Sequence, residues 1–324
     1  KLLDTAYAVV KYTINEDATT IPEFEFVVQG KKVDVYSAAN SSSLSYTLNP
    51  VWHTLEYMNS AMYGGDLEYS EFNIESFIDV ASELDIIDTN YEASWLKYGR
   101  YVGWEDLLVD RRQKVQCNTL LEGSQPLLEN IKSLLAQFDG TLNLIDGKYH
   151  LSMKKVSSSV AYIDISDIEA KIDVKDQNSK DTWNTIHANI QDPAIGWTSN
   201  KVTFFNNTYK TEDRNNEKKG QVSYKHITNY YTARSRAETA LNQSRYSREF
   251  TFSTWHKFSY ITPNDVITLN YSRFSPTPMT LMVERVVTTS AGLIQITAVD
   301  YDPSIYNSLS YQGDNGDNEG VVVP

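Results

Sequence analysis

Apolar residues in this chain recur at every second position near both ends and at every third or fourth position through the middle, and that order of periods limits the folds open to it. Tyr7, Val9 and Lys11 alternate against Ala8, Val10 and Tyr12, and Phe24, Phe26 and Val28 alternate up to Gly30, with Val33 and Val35 beyond. Period-two runs broken by turn residues predict paired strands over 6–36. The pattern then changes. Asn49-Pro50 is a helix start, Asn as cap and Pro at the first helical position, and Trp52, Leu55 and Met62 share a face before Gly64-Gly65 ends the run. A second stripe of Ile74, Phe77, Ile78, Ala81 and Leu84 predicts a helix over 73–85.

A third helix is expected from Ser124, with Pro126 in its first turn and an apolar face of Leu127, Leu128, Ile131, Leu134, Leu135 and Phe138; Gly140 suits its stop. Asp146-Gly147 between the alternating runs 142–144 and 149–153 predicts a tight hairpin. Residues 90–116, rich in Trp, Tyr and charge, read as an irregular excursion. From about 176 the period returns to two. Ile186, Ala188 and Ile190 alternate into Asp192-Pro193, and 211–220 is a polar, charged loop. A short helix is expected around 232–246, with Ala233, Ala237, Ala240 and Leu241 on one side. Strands follow at 248–259, 266–271, 280–289 and 293–300, a spacing that suits a β-barrel. The fold class is therefore α+β and β-rich, in more than one domain. Residues 307–324 read as a linker to a further domain. The chain opens at Lys1 in strand-like sequence, which points to a segment of a longer polypeptide.

Charge narrows the function classes. A net charge of −13 repels phosphate backbones and argues against sequence-specific nucleic-acid binding. Its default meaning is a solvated acidic surface, although the same sign suits a channel through which DNA slides. The apolar runs fall short of the roughly 18 residues a membrane span needs. One cysteine, Cys117, excludes an internal disulfide and a cysteine-based zinc cluster, and fits folding in a reducing cytoplasm. The surplus of tyrosine (22, against 11 Phe) suits wide, partly wet contact surfaces.

No catalytic, cofactor-binding or metal-binding set stands out. His53, His150, His187, His226 and His256 lack any short ligand spacing, and there is no nucleophile elbow, phosphate loop or dinucleotide fingerprint. Arg111, Arg112 and Lys114 lie close to Cys117 and could lower its pKa, but a buried inert thiol is the simpler reading. Glu105-Asp106, Glu68 with Glu71, and Asp167 with Asp173 are carboxylate pairs of the kind glycan cleavage uses at roughly 5–10 Å separation, yet 42 acids supply such pairs by chance. The run Asp314–Glu319 mimics part of a calcium loop without its spaced ligands and reads as flexible and acidic.

The segments taken in order resemble the central region of tail-tip attachment proteins, the baseplate hubs of lambda-like and T5-like siphophages. The resemblance starts at Thr5–Lys11, Ile21-Pro22-Glu23 and Val28–Val33. It is most specific in Asn49-Pro50-Val51-Trp52, Leu55, Tyr57, Met58 and Met62-Tyr63-Gly64-Gly65, where Asn49, Pro50, Trp52, Tyr63 and Gly64 form a structural family motif and Val51 replaces the usual alanine. It continues through Phe77–Ala81, Cys117-Asn118, the 124–138 helix, the Asp146-Gly147 hairpin, Asp181–Ile186 with Asp192-Pro193 and Gly196-Trp197, and Ile296–Asp302 with Tyr306. Residues 90–116 are longer and more aromatic than the lambda-like pattern.

That resemblance implies barrel domains flanking an outer α+β region. Residues 1–40 would complete a first barrel begun upstream, 41–175 would be the outer region, 176–306 the second barrel and 307–324 a linker. It also implies a structural, non-enzymatic virion protein of the tail tip, assembled in the host cytoplasm without cofactors. A homotrimer would close the tail tube beside the distal tail protein and other tip proteins. On opening it would release the tape-measure protein and then the phage DNA, which passes through transiently. The competing readings are a tail-associated glycan-degrading enzyme, which needs a cleft with facing carboxylates, and a host-receptor or carbohydrate-binding module.

Overall fold

A computed structural model describes residues 10–11, 30–85, 115–121, 123–176, 182–192, 198–228, 230–246 and 248–306. Of the strand expected at 7–12 only residues 10–11 are described, and the strand at 24–28, the excursion over 90–114, Glu105-Asp106 and the run 314–319 lie outside those residues. The fold is β-rich α+β, and its buried side chains gather into three principal cores, the third of which lies within the sequence span of the second.

The first core belongs to a helix–strand unit. Strands β1 (Val33–Ala38) and β2 (Ser41–Ser45) form a hairpin. Helices α1 (Pro50–Asn59), α2 (Ile74–Leu84) and α3 (Leu127–Leu135) pack with it and with the hairpin β3 (Gly140–Ile145) and β4 (Lys148–Met153). Asn73 caps α2 by accepting from the Ser76 amide, and Ile74, Phe77, Val80, Ala81 and Leu84 point inward at the spacing the sequence displays. Asp146 and Gly147 both take positive φ (51° and 76°), the two-residue turn whose twist matches paired strands.

Two expectations about α3 change. Leu127 and Leu128 remain largely in solvent, because six apolar positions make a stripe wider than the surface α1 covers. The left-handed residue after the helix is Asp139 (φ 53°), not Gly140. Gly140 opens β3, where a Cβ would stand 2.3 Å from the Phe138 ring.

The second core fills a curled six-stranded sheet in the order β5 (Ser159–Asp164), β11 (Val266–Asn270), β12 (Met279–Thr288), β13 (Ile294–Asp300), β10 (Glu249–Thr254), β6 (Ile168–Lys175). Only residues 165–167 separate its two border strands, and they reach about 14 Å when fully extended. Flat, six strands would hold their borders about 24 Å apart. The sheet therefore bends round until its borders approach at that corner, enclosing Ile163, Phe250, Phe252, Leu269, Leu281 and Ile296. The strand expected over 248–259 ends at Thr254 and turns into a single 3₁₀ turn at His256–Phe258.

The third core belongs to an insert between β6 and β10. Strand β7 (Thr185–Asp192) lies between β8 (Thr198–Phe205), antiparallel, and β9 (Lys219–Ser223), parallel. After β8 come the short α4 (Asn207–Glu212) and, beyond β9, α5 (Tyr230–Gln243), whose Ala233, Ala237 and Leu241 cover the sheet. Residues 159–175, which the sequence reading grouped with the outer region, hydrogen-bond to β10 and β11, and β1 packs on the helices. Parallel pairing across a hundred residues leaves no local trace in the sequence.

Candidate functional site

The five motif residues meet in one tight structure around α1. Asn49, fully buried, accepts the Val51 amide through Oδ1 at 3.0 Å, while its Nδ2 donates to Ala81 O (3.0 Å) and to Asp85 Oδ1 (2.9 Å). One side chain thus caps α1 and ties it to the end of α2. Pro50 supplies the first helical residue, where its missing N–H leaves nothing unpaired. Trp52 is buried with its ring 5.9 Å from that of Tyr36. Tyr63 donates to Glu56 Oε1 at 2.7 Å and accepts from Lys31 Nζ at 2.7 Å. At Gly64 the backbone folds back on the helix end so closely that a Cβ would stand 1.7 Å from Tyr57 O. Nothing in this cluster presents a nucleophile or a ligand set; its geometry is that of a clasp. Asn49→Ala leaves the buried Val51 amide without its acceptor and cuts the tie from α1 to the end of α2, and should cost about 2 kcal/mol in urea unfolding.

A second cluster was invisible as a site in the sequence. In the polar run 211–220, Asp213 is only 8% exposed. It receives Lys218 Nζ at 2.8 Å, Asn184 Nδ2 at 2.8 Å and the Arg245 guanidinium, which also donates Nε to Trp183 O at 2.9 Å and lies over the Tyr209 ring. Burial works against the carboxylate, but the bonds from Arg245, Lys218 and Asn184 outweigh it and hold Asp213 below the usual carboxylate range. Asn184 and Trp183 belong to the 181–186 run that carries the resemblance, and Gly220 leaves room for the Trp183 ring at a place where a Cβ would come within 2.3 Å. The arrangement staples the loop to the insert.

The remaining candidates are not brought together. Glu71 accepts the Glu68 amide in a turn cap, Asp167 pairs with Lys257, and Asp173 pairs with Lys171, so neither carboxylate couple faces a shared cleft. His53 Nε2 donates to Thr47 O, His150 lies at Asn73 and His187 at Thr203. Among the described residues no group of three His, Cys, Asp or Glu side chains could hold a metal ion, and no helix is long and apolar enough to cross a membrane. Cys117 is buried with Gln137 Nε2 3.6 Å from its sulfur, and burial pushes the thiol up to about 12. Alkylation of the native chain near neutral pH should run on the order of a hundredfold slower than in urea, as counted by mass spectrometry.

The units touch through polar contacts. Ser152 Oγ meets Asn264 Nδ2 at 2.9 Å, Lys154 pairs with Glu284, and Tyr301 Oη accepts the Ser157 amide at 2.9 Å where the helix–strand unit meets the curled sheet. Toward the insert, Asn118 donates its amide to His226 O (3.2 Å) and its Nδ2 to Thr228 Oγ1 (2.9 Å). The His226 ring lies between Thr119 (2.5 Å) and Ser133 (3.0 Å), and Arg236 on α5 pairs with Asp139.

A family model described as a putative phage tail protein matches residues 126–286. The baseplate hub protein pb3 of Escherichia phage T5 is 40% identical over 320 residues, covering 98% of this chain and 34% of that protein, so the chain spans about a third of the length of this relative. A chain in the virion of a native gene transfer agent particle aligns with a TM-score of 0.46 and 16% identity over 57% of this chain and 41% of its own. The 43 kDa tail protein of prophage MuSo2 from Shewanella oneidensis gives 0.38 and 8%, over 58% and 55%.

Proposed function

The chain is a relative of a phage baseplate hub protein along almost its whole length, and from that premise we propose that it is a structural, non-enzymatic segment of a siphophage tail-tip hub. In this reading three copies close the distal end of the tail tube, next to the distal tail protein and other tip proteins. The ring opens to let the tape-measure protein and then DNA pass. The helix–strand unit is the outer region, and the curled sheet is the ring-forming barrel. The single observation that carries the reading is the 40% identity sustained over 98% of the chain.

The geometry supports it in two ways. Three separate cores joined by polar contacts suit bodies that shift against one another without losing their own packing. The polar clusters around Asn49 and Asp213 bind backbone and side chains of their own units together. An acidic surplus of 13 charges would also keep a sliding duplex from adsorbing.

The test is to purify intact tails from particles encoding the complete protein and label it at the distal end for electron microscopy. Label at the tip with three copies per tail is the expected result, together with no turnover of cell-wall glycans. Absence from tails, a copy number that is not three, or glycan cleavage by the purified protein would each overturn it.

A further inference from the structure

We propose that the Asp139–Arg236 ion pair is a latch that holds the insert (182–246) against the helix–strand unit, and that its loss frees the insert as a body while both cores stay folded. The inference refines the shifting-bodies reading above and rests on it only for its consequence in a tail; the latch itself is a property of this chain.

Four observations carry it. The core of the insert and the core of the helix–strand unit share no residue. The contacts described above between the two are hydrogen bonds and this one ion pair, so separation exposes groups that water can satisfy. Arg236 is 92% buried in its side chain and its Nε has no hydrogen-bond partner among the described residues, so Asp139 is the counter-charge that makes burial of the guanidinium tolerable. Finally, the insert leaves the curled sheet after Lys175 and re-enters at Glu249, residues directly opposite each other on neighbouring strands. Both connections lie side by side; the insert also meets the turn at Pro303–Ile305, where Gln243 lies at Tyr306 and Tyr246 at Asp302, and the latch is the ion pair that joins it to the helix–strand unit.

Asp139 takes a left-handed backbone (φ 53°), a conformation asparagine also tolerates, so Asp139→Asn removes the charge with the least disturbance of the backbone. The reporter is the Asn118 amide, whose acceptor, His226 O, lies across the joint. Hydrogen exchange of the whole chain is followed at Asn118 and at the amides of the β3–β4 and β7–β8 pairs. The proposal expects Asn118 to exchange at least tenfold faster in Asp139→Asn while the strand amides keep their rates. The paired variant Asp139→Asn/Arg236→Met leaves no orphaned charge, so it keeps the experiment decisive if the single change prevents folding; it too should speed Asn118 alone. Unchanged exchange at Asn118 in the paired variant overturns the latch, and so does a uniform acceleration of all amides, which would make the pair a global stabiliser. The readout needs no tail, so failure of the hub reading would leave it intact, and failure of the latch would leave the hub reading standing.

Discussion

Asp213→Ala should unfold the insert before the rest of the molecule, lowering its stability by about 3 kcal/mol, the low end of what removing one partner from a buried ion pair costs. The low end applies because Lys218 is a third exposed and can recover water, whereas Arg245 is only 14% exposed and cannot. Asn184, fully buried, loses an acceptor for its Nδ2 but keeps the Asn216 carbonyl. The measurement is a thermal or urea melt followed by a probe in the insert, Trp183 fluorescence for instance, against one for the curled sheet. Two separated transitions are expected in the variant. A melt that stays superimposable on the wild type would show the staple to be idle.

The same carboxylate sets a pH dependence. Its folded pKa lies below the unfolded value, so its contribution is fully present above about pH 4 and disappears as pH falls through the depressed folded value. His53 and His226 act at a higher pH. Burial lowers both, with Lys225 adding to the effect at His226, so the unfolded chain takes up protons first and stability falls as pH drops below about 6.5. Asp213→Ala should shrink the more acidic phase of this loss, to which Asp167, Glu217 and Asp302 also contribute, and leave the histidine phase unchanged.

Gly64→Ala is the other change with a large expected effect. The obstacle is backbone oxygen of Tyr57 at 1.7 Å, which cannot swing aside as a side chain would. The turn that follows α1 would have to open, breaking Gly65 N to Tyr57 O (3.1 Å) and Leu67 N to Met58 O (3.2 Å) and lifting Tyr63 from Glu56 and Lys31. A loss of about 3 kcal/mol or more is expected in the helix–strand unit, the upper range for forced overpacking. Gly30→Ala, where nothing among the described residues lies within 4 Å of the added carbon, is the control and should be close to neutral. Equal stability of the two variants would mean the turn is looser than its hydrogen bonds indicate.

What could be read from sequence was what depends on neighbours along the chain. Asn49-Pro50 announces α1, the stripe from Ile74 to Leu84 announces α2, and Asp146-Gly147 announces its hairpin, because caps, periodicity and turn dihedrals act within a few residues. The Asn-Pro-x-Trp and Tyr-Gly-Gly residues were legible as a motif but not as a clasp, since Asn49 earns its place through Ala81 and Asp85, more than thirty positions away. Asp213 was hidden in a charged run that looks like solvated loop. Its partners Asn184 and Arg245 flank it at a distance no pattern registers. The order of the six-stranded sheet was equally out of reach. β6 and β10 are antiparallel neighbours with the whole insert between them, and nothing local marks Val174 as the partner of Phe250.

The curled sheet also dictates an order of assembly during synthesis. Its two border strands, β5 and β6, leave the ribosome first, and the four strands that must lie between them come last. Their partners β10 and β11 begin 74 and 107 residues later, counting from Lys175 to Glu249 and from Ser159 to Val266. At about 5–20 residues per second, β5 waits on the order of 5–20 s for a neighbour. During that wait the preceding helix–strand unit can complete its core, while the nascent border carries Ala161 and Ile163, buried in the finished sheet, uncovered beside the permanently exposed Val160 and Tyr162. Translation speed over 176–270 should therefore govern how much of the newborn chain is lost to aggregation.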